Sequence, residues 1–395
     1  MSFSSFLGDR ASYVDRNDGG RISRVTGQLP DANVVPSMTR LDSGLSERQI
    51  PCITGLRAVA VFIVIIYHSA IPWAPGGLGV LMFFVISGFL ITWLLLKEND
   101  RTGTISLKKF YARRSLRIFP AFYVYALIAI TLLTLFHKPI HWPSSLASLL
   151  YVGNYYQAWY GDPNGAFSHT WSLGVEEQFY LFWPLLFVVI RKHSTLLVRV
   201  PVIIIVCVWI YRPILKFGLH VWQGYFYEAF EARMDHLLVG CLLAILLHRT
   251  RTNHGWGLIS GRPWLVACSL VCLILSIIAE GSYQDLYRDT VGFIVNPVLC
   301  ALLIPQLISV RDSLWVRWLE WAPVRHLGTI SYSLYLYQQF VLGPVRKSLH
   351  ATPYVVQLVM SIMVLIVVAD CSYRFVERPF LKLKNRFEPA VVGLG

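Results

Sequence analysis

The stretch TGLRAVAVFIVIIYHS, residues 54–69, opens the first long apolar run of the chain and carries two ionisable side chains, Arg57 and His68. Membrane spans rarely contain ionisable groups, and those that occur are candidates for function. The eleven steps from Arg57 to His68 make three helical turns plus about 20°, so both side chains project from nearly the same face, about 16 Å apart. If Arg57 marks the cytoplasmic edge, His68 is expected well inside the bilayer.

The composition of the 395-residue chain is typical of a polytopic membrane protein. Apolar residues make up 55% and charged residues 14%, whereas a soluble domain carries about 25% charged residues. The net charge is +13, but the basic residues cluster between apolar runs, which the positive-inside rule explains better than a nucleic-acid partner. The seven cysteines lie in or beside apolar segments without metal-ligand spacing, so we expect no metal site.

Ten apolar segments are long enough to cross a bilayer, and helices are favoured because a lone sheet edge cannot be satisfied in lipid. We place them at about 53–71, 78–96, 119–136, 170–190, 198–216, 231–248, 263–279, 290–309, 329–344 and 354–373. The basic excess falls on alternate loops, which predicts that both termini are cytoplasmic. The sequence therefore predicts an all-α polytopic membrane bundle of about ten transmembrane helices.

The two ends of the chain differ from this apolar centre. Residues 1–50 are rich in Ser, Asp, Arg and Gly without a sustained period, which predicts a disordered polar cytoplasmic tail. No apolar run follows the start, so a cleavable signal peptide is not expected. We assign residues 51–383 to the transmembrane domain and residues 384–395 to a short cytoplasmic tail.

Two arginines between the second and third segments are candidates for binding phosphate. Arg114 and Arg117 are spaced i, i+3 and share a helix face at the predicted inner membrane edge. Arginine forks match phosphate oxygens. Ordinary anchoring at the inner surface or binding of lipid headgroups explains the same spacing and stays an alternative.

The fourth segment begins with two adjacent carboxylates, Glu176 and Glu177. Adjacent helical residues diverge by about 100°, so at most one of them faces the bundle interior. A neutral His68 would take the proton from an attacking hydroxyl, and a carboxylate beside it would orient the imidazole. The alternative for Glu176 is an interfacial carboxylate that reaches water. Arg233 and Asp235 in the sixth segment form either a structural pair or part of an acceptor site.

Taken together, these segments resemble the acyltransferase 3 family of integral-membrane O-acyltransferases, from about residue 50 to 383. The segments that carry the resemblance are Arg57-x10-His68, GGLGVLMFFVISGFLIT, FYARRSLRIFPAFY, HTWSLGVEEQFYLFWP, RMDHLLVG, ISYSLYLYQ and YRFVERPF. Each is weak alone, but their joint order and spacing are specific.

The resemblance implies transfer of an acyl group, commonly acetyl from acetyl-CoA, to a hydroxyl of a carbohydrate or other glycosylated acceptor. It assigns essential roles to Arg57, His68, Arg114, Arg117 and Glu176. Many members carry a histidine where this chain has Gln338, which leaves a second essential histidine in doubt. Many relatives also carry a C-terminal esterase-like domain, and we expect this chain to be a stand-alone form.

These observations lead to one mechanistic hypothesis and two alternatives. Arg57, Arg114 and Arg117 bind the phosphates of acyl-CoA at the inner face, and His68 is the general base for an acceptor hydroxyl that enters from the outer face near Glu176. Acylation of His68 first is a competing route. The alternatives are a proton-coupled glycolipid transporter and an enzyme that acylates a small glycoside. We expect a bacterial inner-membrane protein whose partners are lipid, acyl-CoA and a carbohydrate, and a homo-oligomer is left open.

Overall fold

The computed structural model of the protein describes residues 40–47, 50–69, 74–162, 165–250 and 262–387. Within these ranges the chain forms helices and no strand. The helices are α1 (Arg40–Ser46), α2 (Pro51–His68), α3 (Gly76–Thr102), α4 (Leu107–Leu135), α5 (Trp142–Leu149), α6 (Gly153–Tyr160), α7 (Trp171–Ile190), α8 (Ser194–Pro213), α9 (Gln223–Glu228), α10 (Phe230–Thr250), α11 (Pro263–Tyr287), α12 (Phe293–Ser309), α13 (Leu314–Arg317), α14 (Ala322–Thr329), α15 (Ser331–Ser348), α16 (Tyr354–Ser372) and α17 (Arg378–Lys384).

Each of the ten longest of these helices overlaps one of the ten apolar segments predicted from the sequence, although α4 begins at Leu107, twelve residues before the predicted start at 119. In the described part of the chain, seven continuous helical stretches are long and apolar enough to cross a membrane, and one of them joins α11 to α12. Helices α10 and α15 are not among the seven. The predicted all-α membrane bundle is therefore confirmed, while the number of crossings and the cytoplasmic position of both termini stay predictions.

The first span ends earlier than predicted, and this changes the expected depth of His68. Helix α2 ends at His68, and Ser69 closes it by donating from its backbone N–H to the carbonyl of Ile65 at 2.9 Å. Pro72 follows in the sequence, and the residue before a proline disfavours helical geometry. An 18-residue helix is about 27 Å long. His68 thus stands at one end of the helix, and Arg57 lies about 9 Å from the other.

Helix α3 lies at the centre of the bundle. Of its most apolar 18 residues, 72% are buried, against 22% for α8 and for α16. The outer helices instead expose large apolar side chains, among them Ile203, Ile274 and Val367. Apolar surface of this extent marks contact with a partner or a membrane. The bundle therefore presents an apolar exterior and keeps its polar groups inside.

Glycines allow α10 to pack directly against α3. A β-carbon on Gly88 would lie 1.9 Å from the carbonyl oxygen of Leu237, and one on Gly240 would lie 2.1 Å from that of Val85. Close backbone approach at small residues is a common means of helix association in membranes. This crossing fixes the position of α10, and therefore of Arg233 and Asp235, relative to the central helix.

Two regions that the sequence predicts to be a polar tail and a loop contain short helices. Helix α1 lies within the predicted tail and buries Leu41 and Leu45, while residues 1–39 and 388–395 lie outside the described residues. The predicted outer loop after α4 contains α5 and α6. Asn154 of α6 and Gln178 of α7 exchange side-chain hydrogen bonds, which tie these two helices together.

Candidate functional site

Arg57 lies inside the bundle among charged side chains from three other helical segments. It is half-buried and lies within electrostatic range of Arg117 on α4, Glu176 on α7 and Glu377, which ends the wide turn Tyr373–Glu377 after α16. The side chain projects from the second turn of α2, so it enters the bundle from the end that the loop charges predict to be cytoplasmic. Residues far apart in the sequence thus meet around one guanidinium group.

Helix α4 adds two more arginines to the same place. Arg114 lies over the ring of Tyr180, with its guanidinium carbon 4.3 Å from the ring centroid. Arg117 is within electrostatic range of Arg114, Glu176 and Glu377. Arg57 lies near Arg117, and Arg117 lies near Arg114. The two arginines that share a face of α4 therefore meet the arginine of α2. We call Arg57, Arg114 and Arg117 the inner arginine group.

Two carboxylates border the inner arginine group. Glu176 accepts a hydrogen bond from the hydroxyl of Ser87 at 3.0 Å and another from that of Tyr180 at 3.2 Å. Glu377 accepts one from the hydroxyl of Ser333 at 2.5 Å. These hydroxyl contacts hold both carboxylates beside the inner arginine group.

The inner arginine group forms no ion pair within 4 Å with any residue that the structure describes, although ion pairs occur elsewhere in the bundle. Arg113 pairs with Glu98 at 2.8 Å, and Arg212 pairs with Asp235 at 2.7 Å. Arg57, Arg114 and Arg117 each keep accessible surface, whereas Arg212 is 1% exposed. An interior arginine that is accessible and not paired can donate its hydrogen bonds to an anionic ligand.

His68 lies at the other end of α2, beside a second histidine. It is half-buried and within electrostatic range of His169, which belongs to the turn Ser168–Thr170 before α7. The imidazole of His169 packs against the rings of Tyr125 and Tyr335 at centroid distances of 5.6 and 5.4 Å. Neither of its ring nitrogens forms a hydrogen bond of standard geometry with a described residue, although the backbone of Leu336 also faces the ring.

The structure does not join Glu176 to His68 by any described contact. Glu176 lies seven residues beyond His169, which corresponds to about 10 Å of helical rise, and its hydrogen bonds go to Ser87 and Tyr180. The predicted carboxylate–imidazole pair therefore stays a prediction without a contact to support it. The neighbouring Glu177 also lies within electrostatic range of Arg114, and one of its oxygens is buried without a hydrogen-bond partner in the described chain.

Sequence reasoning missed part of this site. Tyr180 is four residues after Glu176 on the same helix face, a spacing that could have identified it. Glu377 is a carboxylate directly after an apolar segment, but nothing in its local sequence points to α2 or α4. Gln338 is fully buried, and neither polar atom of its amide has a hydrogen-bond partner among the described residues. No group of three or more potential metal ligands occurs in the described ranges.

The sequence profile of the acyltransferase domain family matches residues 50–374. The chain is 32% identical over 360 residues to the peptidoglycan O-acetyltransferase OatA of Listeria monocytogenes, covering 85% of this chain and 56% of that protein. It is 32% identical to the putative peptidoglycan O-acetyltransferase YrhL of Bacillus subtilis, covering 84% and 55%. It is 30% identical to the O-acetyltransferase OatA of Staphylococcus aureus, covering 87% and 59%. The chain thus spans little more than half the length of these relatives, and no solved structure matches it.

Proposed function

Because the chain belongs to the acyltransferase domain family, we propose that it is a membrane O-acetyltransferase that moves an acetyl group from acyl-CoA to a carbohydrate hydroxyl. The relatives named for peptidoglycan suggest a cell-wall glycan as the acceptor. The observation that carries the proposal is the inner arginine group, whose three accessible arginines form no ion pair with the described residues and lie on the same helical bundle as His68.

We assign the donor to the inner arginine group. The planar guanidinium forks of Arg57, Arg114 and Arg117 match the phosphate oxygens of acyl-CoA. The rise from Arg57 to His68 along α2 is about 16 Å, comparable to an extended pantetheine arm. A donor bound through its phosphates would then bring its thioester towards His68, with the loop charges placing the donor on the cytoplasmic side.

His68 is the proposed general base. A neutral imidazole accepts the proton of the acceptor hydroxyl while the hydroxyl oxygen bonds to the acyl carbon. The carbon–sulfur bond then breaks, and the CoA sulfur leaves as a thiolate that takes up a proton. The competing route forms an acyl-histidine at His68 first, and the acceptor hydroxyl attacks that intermediate. In both routes, a site inside the bundle excludes water that would hydrolyse the thioester.

Glu176 has a different proposed role from the one expected beside His68. Its contacts are Ser87 and Tyr180, and the ring of Tyr180 also supports Arg114. Glu176 therefore orients the inner arginine group through Tyr180 and through its own charge. The proposed location is the bacterial cytoplasmic membrane, with the donor inside and the acceptor at the outer face.

The test uses the purified chain in lipid nanodiscs with radiolabelled acetyl-CoA and peptidoglycan glycan strands. We expect His68→Ala to lower acetyl transfer by roughly 100-fold to 10,000-fold, the usual range for loss of a general base. His350→Ala is the matched control, because His350 is exposed and its ring contacts only the backbone carbonyl of Lys347, three residues earlier.

The same assay distinguishes the two routes and tests whether the chain uses an acyl-CoA donor. Label that stays on the wild-type protein but not on His68→Ala indicates the acyl-histidine route. Unchanged transfer by His68→Ala would contradict the assigned base. An absence of CoA release from every acyl donor offered would contradict the acyltransferase itself and favour the transporter.

A further inference from the structure

Two arginines near the α8–α10 contact are fully buried, and only one of them is paired. Arg212 donates to both carboxylate oxygens of Asp235 at 2.7 and 3.1 Å. It also donates to the carbonyl oxygens of Ala232 at 3.1 Å and Phe293 at 3.3 Å. The structural pair expected for Asp235 therefore exists, but its cation is Arg212 and not Arg233.

Arg233 has none of these contacts. It is fully buried, and none of its three guanidinium nitrogens has a hydrogen-bond partner among the described residues. Its guanidinium carbon instead lies within 6 Å of four ring centroids: Phe293 at 4.2 Å, Tyr227 at 5.0 Å, Trp171 at 5.6 Å and Phe84 at 5.8 Å. We call these four rings the aromatic cage. Cation–π contacts are individually weak, whereas a buried charge without a hydrogen-bonded partner is strongly unfavourable.

Two carboxylates near the aromatic cage are bound to other cations, and a third, Glu280, lies within electrostatic range of Arg233 and Tyr227. Asp235 is held by Arg212. Asp289 is held by Lys216 at 2.5 Å and by Arg288 at 3.1 Å, and Arg288 also binds Asp285 at 2.7 Å. Arg233 thus brings a positive charge and a full set of donors that the surrounding side chains leave unused.

The aromatic cage adjoins the His68 end of the bundle. Trp171 begins α7 two residues after His169, which lies within electrostatic range of His68. Tyr227 is within electrostatic range of Tyr67, the residue before His68. Tyr227 keeps accessible surface, and its ring offers apolar area with a polar tip, which suits the face of a sugar ring.

We propose that Arg233 is the anion-binding residue of the acceptor subsite, where its fork binds a carboxylate or phosphate group of an acidic sugar. The ring of Tyr227, which keeps accessible surface, lies beside that sugar, and the sugar hydroxyl faces His68. The presentation of the hydroxyl to His68 rests on the proposed acetyl transfer. The binding of an anionic group by Arg233 does not depend on it. Two oxygens of one anionic group match the two parallel donors of a guanidinium fork.

The test compares three sugars of equal length with the protein in nanodiscs. They are a peptidoglycan disaccharide with its free carboxylate, the same disaccharide with the carboxylate reduced to an alcohol, and the reduced disaccharide carrying a 1-phosphate. Binding is followed by tryptophan fluorescence, and transfer by kcat/KM for each sugar. Acetyl-CoA hydrolysis without acceptor is measured in parallel.

We expect the wild type to prefer an anionic sugar about tenfold to a hundredfold, as hydrogen bonds to a charged group allow. Arg233→Gln should lose that preference. Arg233→Lys, which keeps the charge but not the fork, should retain a smaller preference. The exposed Arg199 supplies the control Arg199→Gln. A preference for the carboxylate sugar over the phosphate sugar identifies a carboxylate ligand, and the reverse identifies a phosphate ligand.

Two results would overturn the proposal. One is a wild type that binds the anionic and reduced sugars equally. The other is an Arg233→Lys or Arg233→Gln protein that melts like the wild type and keeps the full preference. If the wild type binds anionic sugars but transfers no acetyl group, the acetyl transfer fails while the anion site stands.

Discussion

The Arg212–Asp235 pair and the inner arginine group both place arginines inside the bundle, but the first arginine is buried and paired, whereas the other three are accessible and form no ion pair with a described residue. Arg212 is 1% exposed and donates to one carboxylate and two carbonyl groups. Arg57, Arg114 and Arg117 keep accessible surface and form no ion pair with the described residues. An arginine whose donors are all used serves the fold, whereas one whose donors remain free is available to a ligand. We therefore expect substitutions at the first to change stability and at the second to change substrate binding.

The largest effect is expected from Asp235→Ala, which leaves Arg212 buried without its carboxylate. Removing one partner of a buried pair typically costs about 3–5 kcal/mol. Thermal unfolding in detergent measures the change. Asp100→Ala is the control, because Asp100 is exposed in its pair with His248 and such pairs contribute about 0–1 kcal/mol. An Asp235→Ala protein as stable as the control would contradict the structural role of the Arg212–Asp235 pair.

A smaller effect, on binding and not on stability, is expected from Arg117→Lys. Lysine keeps the charge but loses the planar fork, so we expect the KM for acetyl-CoA to rise about tenfold, the effect of one charged hydrogen bond. The melting temperature should not change, because Arg117 has no ion-pair partner among the described residues. Arg199→Lys serves as the control. A lower melting temperature with an unchanged KM would place Arg117 with Arg212 as a structural residue.

The helix positions were largely predictable from the sequence, and the composition of the site was predictable only in part. Apolar runs located the ten long helices, because burial in lipid selects length and hydrophobicity. Arg57, Arg114 and Arg117 followed from helical spacing and charge. Glu377 could not be placed beside them, because its position depends on how α16 and the turn after it pack against α4. Helices α5 and α6 were missed, because eight-residue helices depend on tertiary contacts more than on periodicity.

A still smaller effect should follow from Tyr180→Leu, which removes the ring beneath Arg114 and the hydroxyl that donates to Glu176. An accessible cation–π contact is worth about 0.5–1 kcal/mol, so the KM for acetyl-CoA should rise roughly twofold to fivefold. Tyr180→Phe keeps the ring and should show less of the increase. Equal effects of the two substitutions would assign the contribution to the hydroxyl group and not to the ring.

A separate expected effect is a pH dependence of stability at the predicted outer surface. Burial and the nearby charge of Asp162 raise the pKa of Glu228, in α9, from 4.5 to about 8. The folded chain therefore keeps a proton that the unfolded chain loses, and stability should fall as the pH rises from about 4.5 to 8. Glu228→Gln should flatten this part of the stability profile. An identical slope for the wild type and Glu228→Gln would show that other groups control it.

The most direct test of the central claim is an electron cryo-microscopy map of the protein in nanodiscs with a non-hydrolysable acetyl-CoA analogue. The account predicts density for the phosphates within hydrogen-bond distance of Arg114 and Arg117, with the pantetheine arm running along α2 towards His68. Phosphate density elsewhere in the bundle, with Arg57, Arg114 and Arg117 free of ligand, would contradict the assignment of the inner arginine group to the donor.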